Sequence, residues 1–103
     1  DYPVGLILAD EVALAGGRGY YNEAYLPNSN YYLYNGKYYW TLSPSDFNSG
    51  SSSANVWIVL SSGSLHPWYS VTYSIGVRPV INLRADVQIT KGDGSSLNPF
   101  VIK

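Results

Sequence analysis

Short apolar runs alternate along the chain with polar, glycine-rich stretches. Residues 3–8 are apolar with little alternation, which predicts a short buried strand. Residues 9–15 carry two acidic side chains in their first turn and are followed by Gly16 and Gly17, a pattern that predicts a short helix ending at the glycines. Because two turns of helix are marginal alone, we expect this helix to pack against strands.

The next pattern is an asparagine–glycine pair between two aromatic runs. Residues 31–34 and 37–40 flank Asn35 and Gly36, the pair that best supplies the two positive φ angles of a tight hairpin turn. The sequence therefore predicts a β-hairpin here, with aromatic strands on both sides of the turn.

The second half of the chain has strand-like runs broken by turns. Residues 43–54 are serine-rich and are predicted to be a long loop, which in a compact domain is usually functional or mobile. Pro79 lies inside a predicted strand and indicates an edge position or a bulge. The remaining strands are predicted at residues 55–60, 76–83, 87–90 and 100–102. The expected fold class is α+β, mostly short antiparallel strands with one or two short helices.

Length, composition and charge narrow the possible classes of protein. At 103 residues the chain is one domain, able to bury about 65% of its surface in a single core. It has no cysteine, which excludes disulfides, thiolate metal sites and thiol catalysis. Six basic residues against seven acidic ones, with no basic run, disfavour nucleic acid as a partner. No apolar stretch approaches the ~20 residues of a membrane span, so we expect no membrane insertion of this domain.

The candidates for catalysis and metal binding are few. His66 is the only histidine, so a nucleophile–base pair would have to use it, and a surface contact is the favoured interpretation. A metal site at Asp86, Asp93 and Asn98 competes with an ordinary Asp-Gly turn, and the turn is favoured. We therefore expect no enzyme, no metal and no cofactor.

The aromatic content is the unusual feature, at 16% beside 13% charged residues. A composition rich in Tyr and Ser with few charges is typical of binding loops, and aromatic residues also favour strands. The run from His66 to Tyr69 consists of large side chains, and successive strand residues face opposite sides, so some of them must be exposed. Because exposed Trp and Tyr anchor interfaces, the sequence predicts a recognition surface between Asp46 and Ile75.

Three motifs resemble those of a known family. They read Tyr-Tyr-Trp-Thr-Leu-Ser-Pro-Ser at 38–45, Val-Trp-x-Val followed by Ser-Ser-Gly-x-Leu at 56–65, and Gly-Val-Arg-Pro-Val-Ile-Asn-Leu at 76–83. With residues 3–17 and 92–100, they resemble the C-type-lectin-like domains of gut Firmicutes surface and pilin-like proteins. They also resemble the variable proteins of diversity-generating retroelements. In such proteins a retroelement rewrites adenine-containing codons, and the fold displays the altered side chains on one ligand-binding face.

The resemblance implies a C-type-lectin-like fold and divides the residues into a frame and a displayed set. The frame residues would be Trp40, Ser43, Pro44, Gly63, Gly76, Arg78 and Pro79. The displayed, ligand-binding residues would be Asp46, Asn48, Asn55, Ile58, Leu60, Ser64, His66, Pro67, Trp68, Tyr69, Ser70, Tyr73 and Ile75. The calcium motifs of carbohydrate-binding C-type lectins do not occur, which argues against calcium-dependent sugar binding. The cysteine that the related formylglycine-generating enzymes require is also absent.

Two functions follow as expectations. The first is a ligand-recognition module with a hypervariable surface, the target of a diversity-generating retroelement, which binds an unknown protein or surface ligand. The alternative is a fixed structural, adhesive or glycan-binding domain. Either would lie on a cell surface or outside the cell, on a pilus tip or a phage virion, as the C-terminal part of a longer protein. Arg78, a lone cation in an apolar stretch, is expected to be held by hydrogen bonds to backbone or to a carboxylate.

Overall fold

The computed structural model describes residues 4–19 and 28–103 and consists mainly of short strands. In chain order the elements are β1 (Val4–Leu6), α1 (Ala9–Leu14), β2 (Tyr39–Asn48), β3 (Ser53–Val59), β4 (Leu65–Ser70), β5 (Pro79–Ile81), β6 (Ile89–Lys91) and β7 (Val101–Ile102). The strands form three antiparallel sheets: β1 with β5, β2-β3-β4 with β3 in the middle, and β6 with β7.

The helix α1 forms where the acidic start and the glycine stop predict it. The N–H of Leu8 donates to Glu11 Oε2 at 2.9 Å, and the N–H of Ala9 donates to Ser43 Oγ at 2.9 Å. Two of the N–H groups that a helix start leaves without a helical partner are thereby satisfied. The opposite side of α1 buries Val12 completely, so this helix is stabilised by packing rather than by its length.

The main core lies between α1 and one end of the three-stranded sheet. Val59 in β3 is opposite Tyr39 on one side and Leu65 on the other, and all three are buried. The whole buried cluster comprises Ile7, Ala9, Val12, Tyr31, Leu33, Tyr39, Val59 and Leu65. The prediction of a strand at residues 55–60 is confirmed by β3.

The expected α+β, C-type-lectin-like fold is wrong. The described residues are mostly β, with 39% strand against 7% helix, in three small antiparallel sheets. Within the described residues α1 is the single helix, and its six residues cannot form a helical layer. Segments that the sequence analysis assigned to loops pair as strands instead, which raises the strand content.

The predicted Asn-Gly hairpin is also wrong. Residues 31–34 form a turn, in which the N–H of Tyr34 donates to the carbonyl of Tyr31, and only Gly36 of the Asn-Gly pair has a positive φ, at 71°. The aromatic side chains anchor this segment to the core rather than pairing it with a neighbour. The hydroxyl of Tyr31 donates to the Gly63 carbonyl, and that of Tyr39 donates to the Leu33 carbonyl at 3.0 Å.

The serine-rich residues 43–54 are not a long loop. β2 continues to Asn48 and β3 begins at Ser53, so these residues form a hairpin with a short turn. Short polar side chains bond one another across the strands: Asn55 Nδ2 donates to Asp46 Oδ1 at 2.9 Å. Such cross-strand pairs stabilise a sheet that has little apolar burial of its own.

The C-terminal part is more open than the rest. Pro79 is opposite Leu6 in a two-stranded sheet, which confirms its predicted edge position. Strands β6 and β7 pair as the pattern of residues 87–90 and 100–102 predicts, and every one of their residues is exposed. The accessible surface of 7589 Å² exceeds the roughly 5,700 Å² expected for a globular chain of this mass, so less of the chain is buried than its length allows.

Candidate functional site

The three-stranded sheet has two ends with different environments. β3 is regular, so Ser53, Asn55 and Val59 point to one face, and Ile58 points to the other. At the covered end, the part of the sheet around Ile58 and Val59, both faces are closed and these two side chains have 0% and 1% exposure. At the open end, around Ser53 and Asn55, α1 no longer covers the face that Val59 shares.

A groove of about 710 Å³ lies at the open end. Its volume is in the range of small-ligand sites. Its lining consists of one carboxylate, short neutral polar side chains and two aromatic rings. The lining residues are Asp46, Asn48, Ser51, Ser52, Ser53, Asn55, Trp68, Ser70, Thr72 and Tyr73.

The polar side chains of the groove are held by hydrogen bonds to one another. In addition to the bond between Asn55 and Asp46, Ser53 Oγ donates to Ser70 Oγ at 2.7 Å, and Ser70 Oγ lies 2.9 Å from Thr72 Oγ1. These bonds connect all three strands and the turn after β4. A ligand therefore meets donors and acceptors whose positions are already fixed, which reduces the ordering cost of binding.

Two aromatic groove residues continue into a larger group, which we call the aromatic track: Tyr38, His66, Trp68, Tyr69 and Tyr73. The ring centroids of Tyr69 lie 5.5 Å from Tyr73, 5.6 Å from His66 and 6.2 Å from Tyr38, and His66 lies 5.7 Å from Trp68. These are ordinary distances for tilted and edge-on aromatic pairs. Trp68 and Tyr73 are 49% and 61% exposed, so they are open to a ligand.

A β-bulge in β4 positions the track. Val56 is opposite Tyr69 and Ile58 is opposite His66, so β4 needs one residue more than β3 to cover the same length. The irregularity brings both His66 and Tyr69 opposite residues on the same face of β3. Trp68 lies between them in the chain, and its backbone N–H donates to His66 Nδ1 at 3.2 Å. The bulge therefore explains how consecutive large residues gather around one strand.

His66 is the one imidazole of the track. Burial lowers the pKa of its imidazole below the usual value of 6.5, because desolvation penalises the charged form. The imidazole is therefore neutral at neutral pH, and with Nδ1 accepting a bond it serves as an aromatic contact and an acceptor.

The structure brings together six of the thirteen residues that the resemblance marks as displayed. Those in the groove are Asp46, Asn48, Asn55, Trp68, Ser70 and Tyr73. His66 and Tyr69 are half-buried in the adjoining track, and Leu60 and Ile75 are half-buried outside the groove. Ile58, Ser64 and Pro67 are buried, Ile58 because it is flanked by Trp40 and His66 on the neighbouring strands, so these three are not on a displayed surface.

Several of the frame residues have a structural task. Gly63 has a φ of +87°, and a Cβ there would lie 2.2 Å from the Asn28 carbonyl oxygen. At Gly76 a Cβ would lie 2.6 Å from the Tyr38 carbonyl oxygen, because this glycine is bridged to β2. Ser43 Oγ accepts the hydrogen bond from the Ala9 N–H at the start of α1.

Arg78 is held in the way that its apolar surroundings predict. Nη1 of Arg78 donates to the Leu33 carbonyl, and its guanidinium carbon lies 5.4 Å from the centroid of the Tyr39 ring. The expected tether to backbone is confirmed. Because Leu33 precedes β2 and belongs to the core cluster, Arg78 ties the segment before β5 to that core.

The sequence did not point to four polar residues of the groove or to one residue of the aromatic track. Ser51, Ser52, Ser53 and Thr72 line the groove, and Tyr38 ends the track. Ser53 could have been found from its alternation with Asn55, had residues 43–54 been interpreted as strands. Tyr38 is the first residue of the motif at 38–45, and nothing in that motif marked it as a displayed residue.

The comparisons with known proteins give no relative. No family model, no curated protein and no solved structure matches the chain. Within residues 4–19 and 28–103 no three His, Asp or Glu side chains form a group that could hold a metal ion. No helix in that part of the chain is long and apolar enough to cross a membrane.

Proposed function

We propose that this domain is a ligand-recognition module that binds through the groove at the open end of the three-stranded sheet. The observation that carries the proposal is the meeting of six displayed-set residues in that groove, although they come from three strands and a turn.

The composition and exposure of the groove support recognition. Trp68 and Tyr73 present large rings to solvent beside a fixed set of polar groups, and aromatic residues are enriched among the anchors of binding sites. None of the groove residues belongs to the buried core cluster. Their replacement therefore affects a ligand more than it affects folding.

We further propose that the groove varies between copies of the gene, as in the variable proteins that the sequence resembles. The separation of roles supports this proposal. Gly63, Gly76 and Arg78, which the resemblance assigns to the frame, hold backbone close to backbone or tie segments to the core. Such a division lets side chains in the groove change while the strands beneath them stay in place. The proposed site of action is a cell surface or an extracellular structure.

Sequencing of this gene from many cells of the population that carries it tests the variation. We expect substitutions to concentrate at the codons of Asp46, Asn48, Asn55, Trp68, Ser70 and Tyr73. They should occur where a nearby near-copy of the segment has adenine. The codons of Gly63, Gly76 and Arg78 are the matched controls and should stay constant. Substitutions spread evenly over groove and frame would refute a diversified groove.

A second measurement tests whether the groove is free to vary. Alanine at Asn48, Ser51 or Tyr73, one at a time, should leave cooperative thermal unfolding close to that of the parent protein. Surface changes away from packed features usually alter stability by less than about 0.5 kcal/mol. Loss of cooperative unfolding in all three variants would show that these residues maintain the fold, which would overturn the groove as a recognition site.

A further inference from the structure

We propose that the groove and the aromatic track of this sequence bind a linear, uncharged carbohydrate chain, and that they do so without a metal ion. The proposal rests on the proposed function, because it names the class of ligand for the same groove. It extends that function by giving the aromatic track a part in binding.

Charge limits the ligands that the groove can accept. Among the residues that the structure describes, Asp46 is the only charged side chain in the lining, and no Lys, Arg or His is present there. A phosphate, a sulfate or a polyanion would meet a carboxylate and no cation. A purely apolar ligand would cover Asp46, Asn55 and the linked serines without replacing their bonds to water, which is costly. The lining thus disfavours anions and apolar ligands, and its short neutral side chains fit an uncharged polar ligand.

The hydrogen-bonding groups of the groove match hydroxyl groups. The Asp46 carboxylate accepts hydrogen bonds, the Asn48 and Asn55 amides both donate and accept, and serine and threonine hydroxyls do either. A sugar hydroxyl also donates and accepts, so neighbouring hydroxyls can bind a carboxylate and an amide together. Among the described residues the lining offers one carboxylate, whereas a calcium ion takes six to eight oxygen ligands, so the proposal assigns sugar binding to hydrogen bonds rather than to a metal ion.

The aromatic side chains of the groove, Trp68 and Tyr73, suit the apolar C–H face of a sugar ring. Trp68 and Tyr73 are about half exposed or more and border the polar floor. A pyranose ring carries C–H groups on its faces and hydroxyls around its edge. It can therefore pack against an aromatic ring while its hydroxyls reach Asp46 and Asn55.

The aromatic track indicates a chain rather than a single sugar. From Tyr73 in the groove, the rings continue through Tyr69 to Tyr38 in steps of 5.5 Å and 6.2 Å. Tyr38 is 42% exposed and lies outside the groove lining, so a single sugar in the groove does not reach it. Tyr69 is opposite Val56, on the face of the sheet away from Asn55. A chain that leaves the groove therefore passes around the outer edge of β4 beside Tyr73 and then meets Tyr69 and Tyr38.

Isothermal titration calorimetry with defined oligosaccharides tests the proposal. The probes are cello-, xylo-, manno- and laminari-oligosaccharides, each as single sugar, trimer and hexamer, with EDTA present. We expect at least one series to bind, with the hexamer bound more tightly than the trimer and the single sugar bound weakest. Trp68→Ala should weaken hexamer binding at least about tenfold, because it removes an exposed aromatic anchor. Tyr73→Ala repeats the test should Trp68→Ala not fold.

The other variants locate the chain. Tyr38→Ala should remove the advantage of the hexamer over the trimer and leave trimer binding unchanged. Tyr32→Ala is the matched control, since Tyr32 is 78% exposed and lies outside the groove and the track, and it should bind like the parent. Binding that does not depend on chain length, or a Tyr32→Ala effect as large as that of Trp68→Ala, would contradict the proposal.

The failure of this proposal differs from the failure of the proposed function. If no oligosaccharide binds with or without calcium, the carbohydrate class is wrong. If the groove codons nevertheless vary, recognition stands, and a protein ligand whose binding needs Trp68 replaces the sugar. If the codons do not vary but an oligosaccharide binds, the domain is a fixed carbohydrate-binding module.

Discussion

The covered and open ends of the three-stranded sheet use the same strands for different purposes. At the covered end Tyr39, Val59 and Leu65 are opposite one another and buried beneath α1 and its neighbours. At the open end Asp46, Asn55 and Ser70 take the corresponding positions across the strands and line a groove. A few residues along β3 therefore separate an apolar core from a polar site.

The comparison shows how a domain with a small apolar core can keep the side chains of a binding site in fixed positions. Apolar burial at the covered end offsets the conformational entropy that the chain loses on folding. Hydrogen bonding between the strands then keeps the backbone ordered as far as the open end. There the polar side chains need only bond one another, as Ser53 does with Ser70. The two ends should consequently respond differently to the same kind of substitution.

The largest effect is expected from Ile58→Ala at the covered end. Ile58 is fully buried, so the change removes apolar contacts and leaves a cavity, which costs about 2 to 5 kcal/mol of unfolding free energy. Urea unfolding followed by tryptophan fluorescence measures it. A loss below roughly 1 kcal/mol would mean that the covered end relaxes around the cavity and is not the tightly packed part.

A smaller loss is expected from Arg78→Ala. The change removes the charged donor to the Leu33 carbonyl and the contact with Tyr39, a kind of hydrogen bond worth about 1.5 to 3 kcal/mol. Thermal unfolding measures the loss, and affinity for any groove ligand should stay the same. Arg78→Lys keeps the charge without the planar guanidinium, so its melting temperature should lie between those of the parent and Arg78→Ala. An unchanged melting temperature in Arg78→Ala would show that the tether is dispensable.

At the open end, the double-mutant cycle of Asp46→Ala and Asn55→Ala should give a coupling energy of about 1 kcal/mol or less. Their hydrogen bond is exposed, and water replaces it when either partner is removed. Urea unfolding of the parent, both single variants and the double variant supplies the four values required. A coupling as large as the Ile58→Ala loss would erase the difference between the two ends.

The smallest effect is expected from protonation of His66. Its folded pKa lies below the unfolded value of 6.5, so the unfolded chain takes up the proton first. Stability is complete above 6.5 and declines as the pH falls through the lower folded pKa. The melting temperature should therefore drop more between about pH 7.5 and about pH 5 in the parent than in His66→Gln, which does not titrate.

Asp93 does not interfere with that measurement. Hydrogen bonds from Ser95 hold the pKa of the Asp93 carboxyl below its usual 3.8, so its contribution to stability is lost only at still lower pH. Parallel curves for the parent and His66→Gln would show that burial of the imidazole has no consequence for stability.

Local patterns predicted the parts of the fold that local interactions determine. The acidic start and glycine stop gave α1, and the apolar run at residues 55–60 gave β3. The hairpin at Asn35 failed because Tyr31 and Tyr39 bond to distant or buried carbonyls, a tertiary effect that outweighs the turn preference. The predicted α+β class is wrong as well, because the serine-rich residues 43–54, which have the composition of a loop, pair as strands.

The site was predictable in part. The aromatic run from His66 to Tyr69 indicated a surface, and Trp68 lies in the groove. The bulge in β4 could not be predicted, because it depends on the register of three strands. A strict alternation of strand residues, which ignores the bulge, does not predict that Pro67 is buried or that His66 and Tyr69 share a face.

The outer edges of the three-stranded sheet have a consequence for how copies of the domain behave when crowded together. At the covered end these edges are occupied: Trp40 N–H donates to the Gly76 carbonyl at 3.1 Å, and Leu65 N–H donates to the Arg18 carbonyl at 2.9 Å.

Between the two ends both outer strands carry a proline beside a register shift, Pro44 in β2 and Pro67 in β4. Proline offers no N–H to an incoming strand, and a bulge twists the edge away from one. The sheet therefore resists growth by strand addition. A dense array of these domains should remain a set of separate molecules rather than fuse into continuous β-structure.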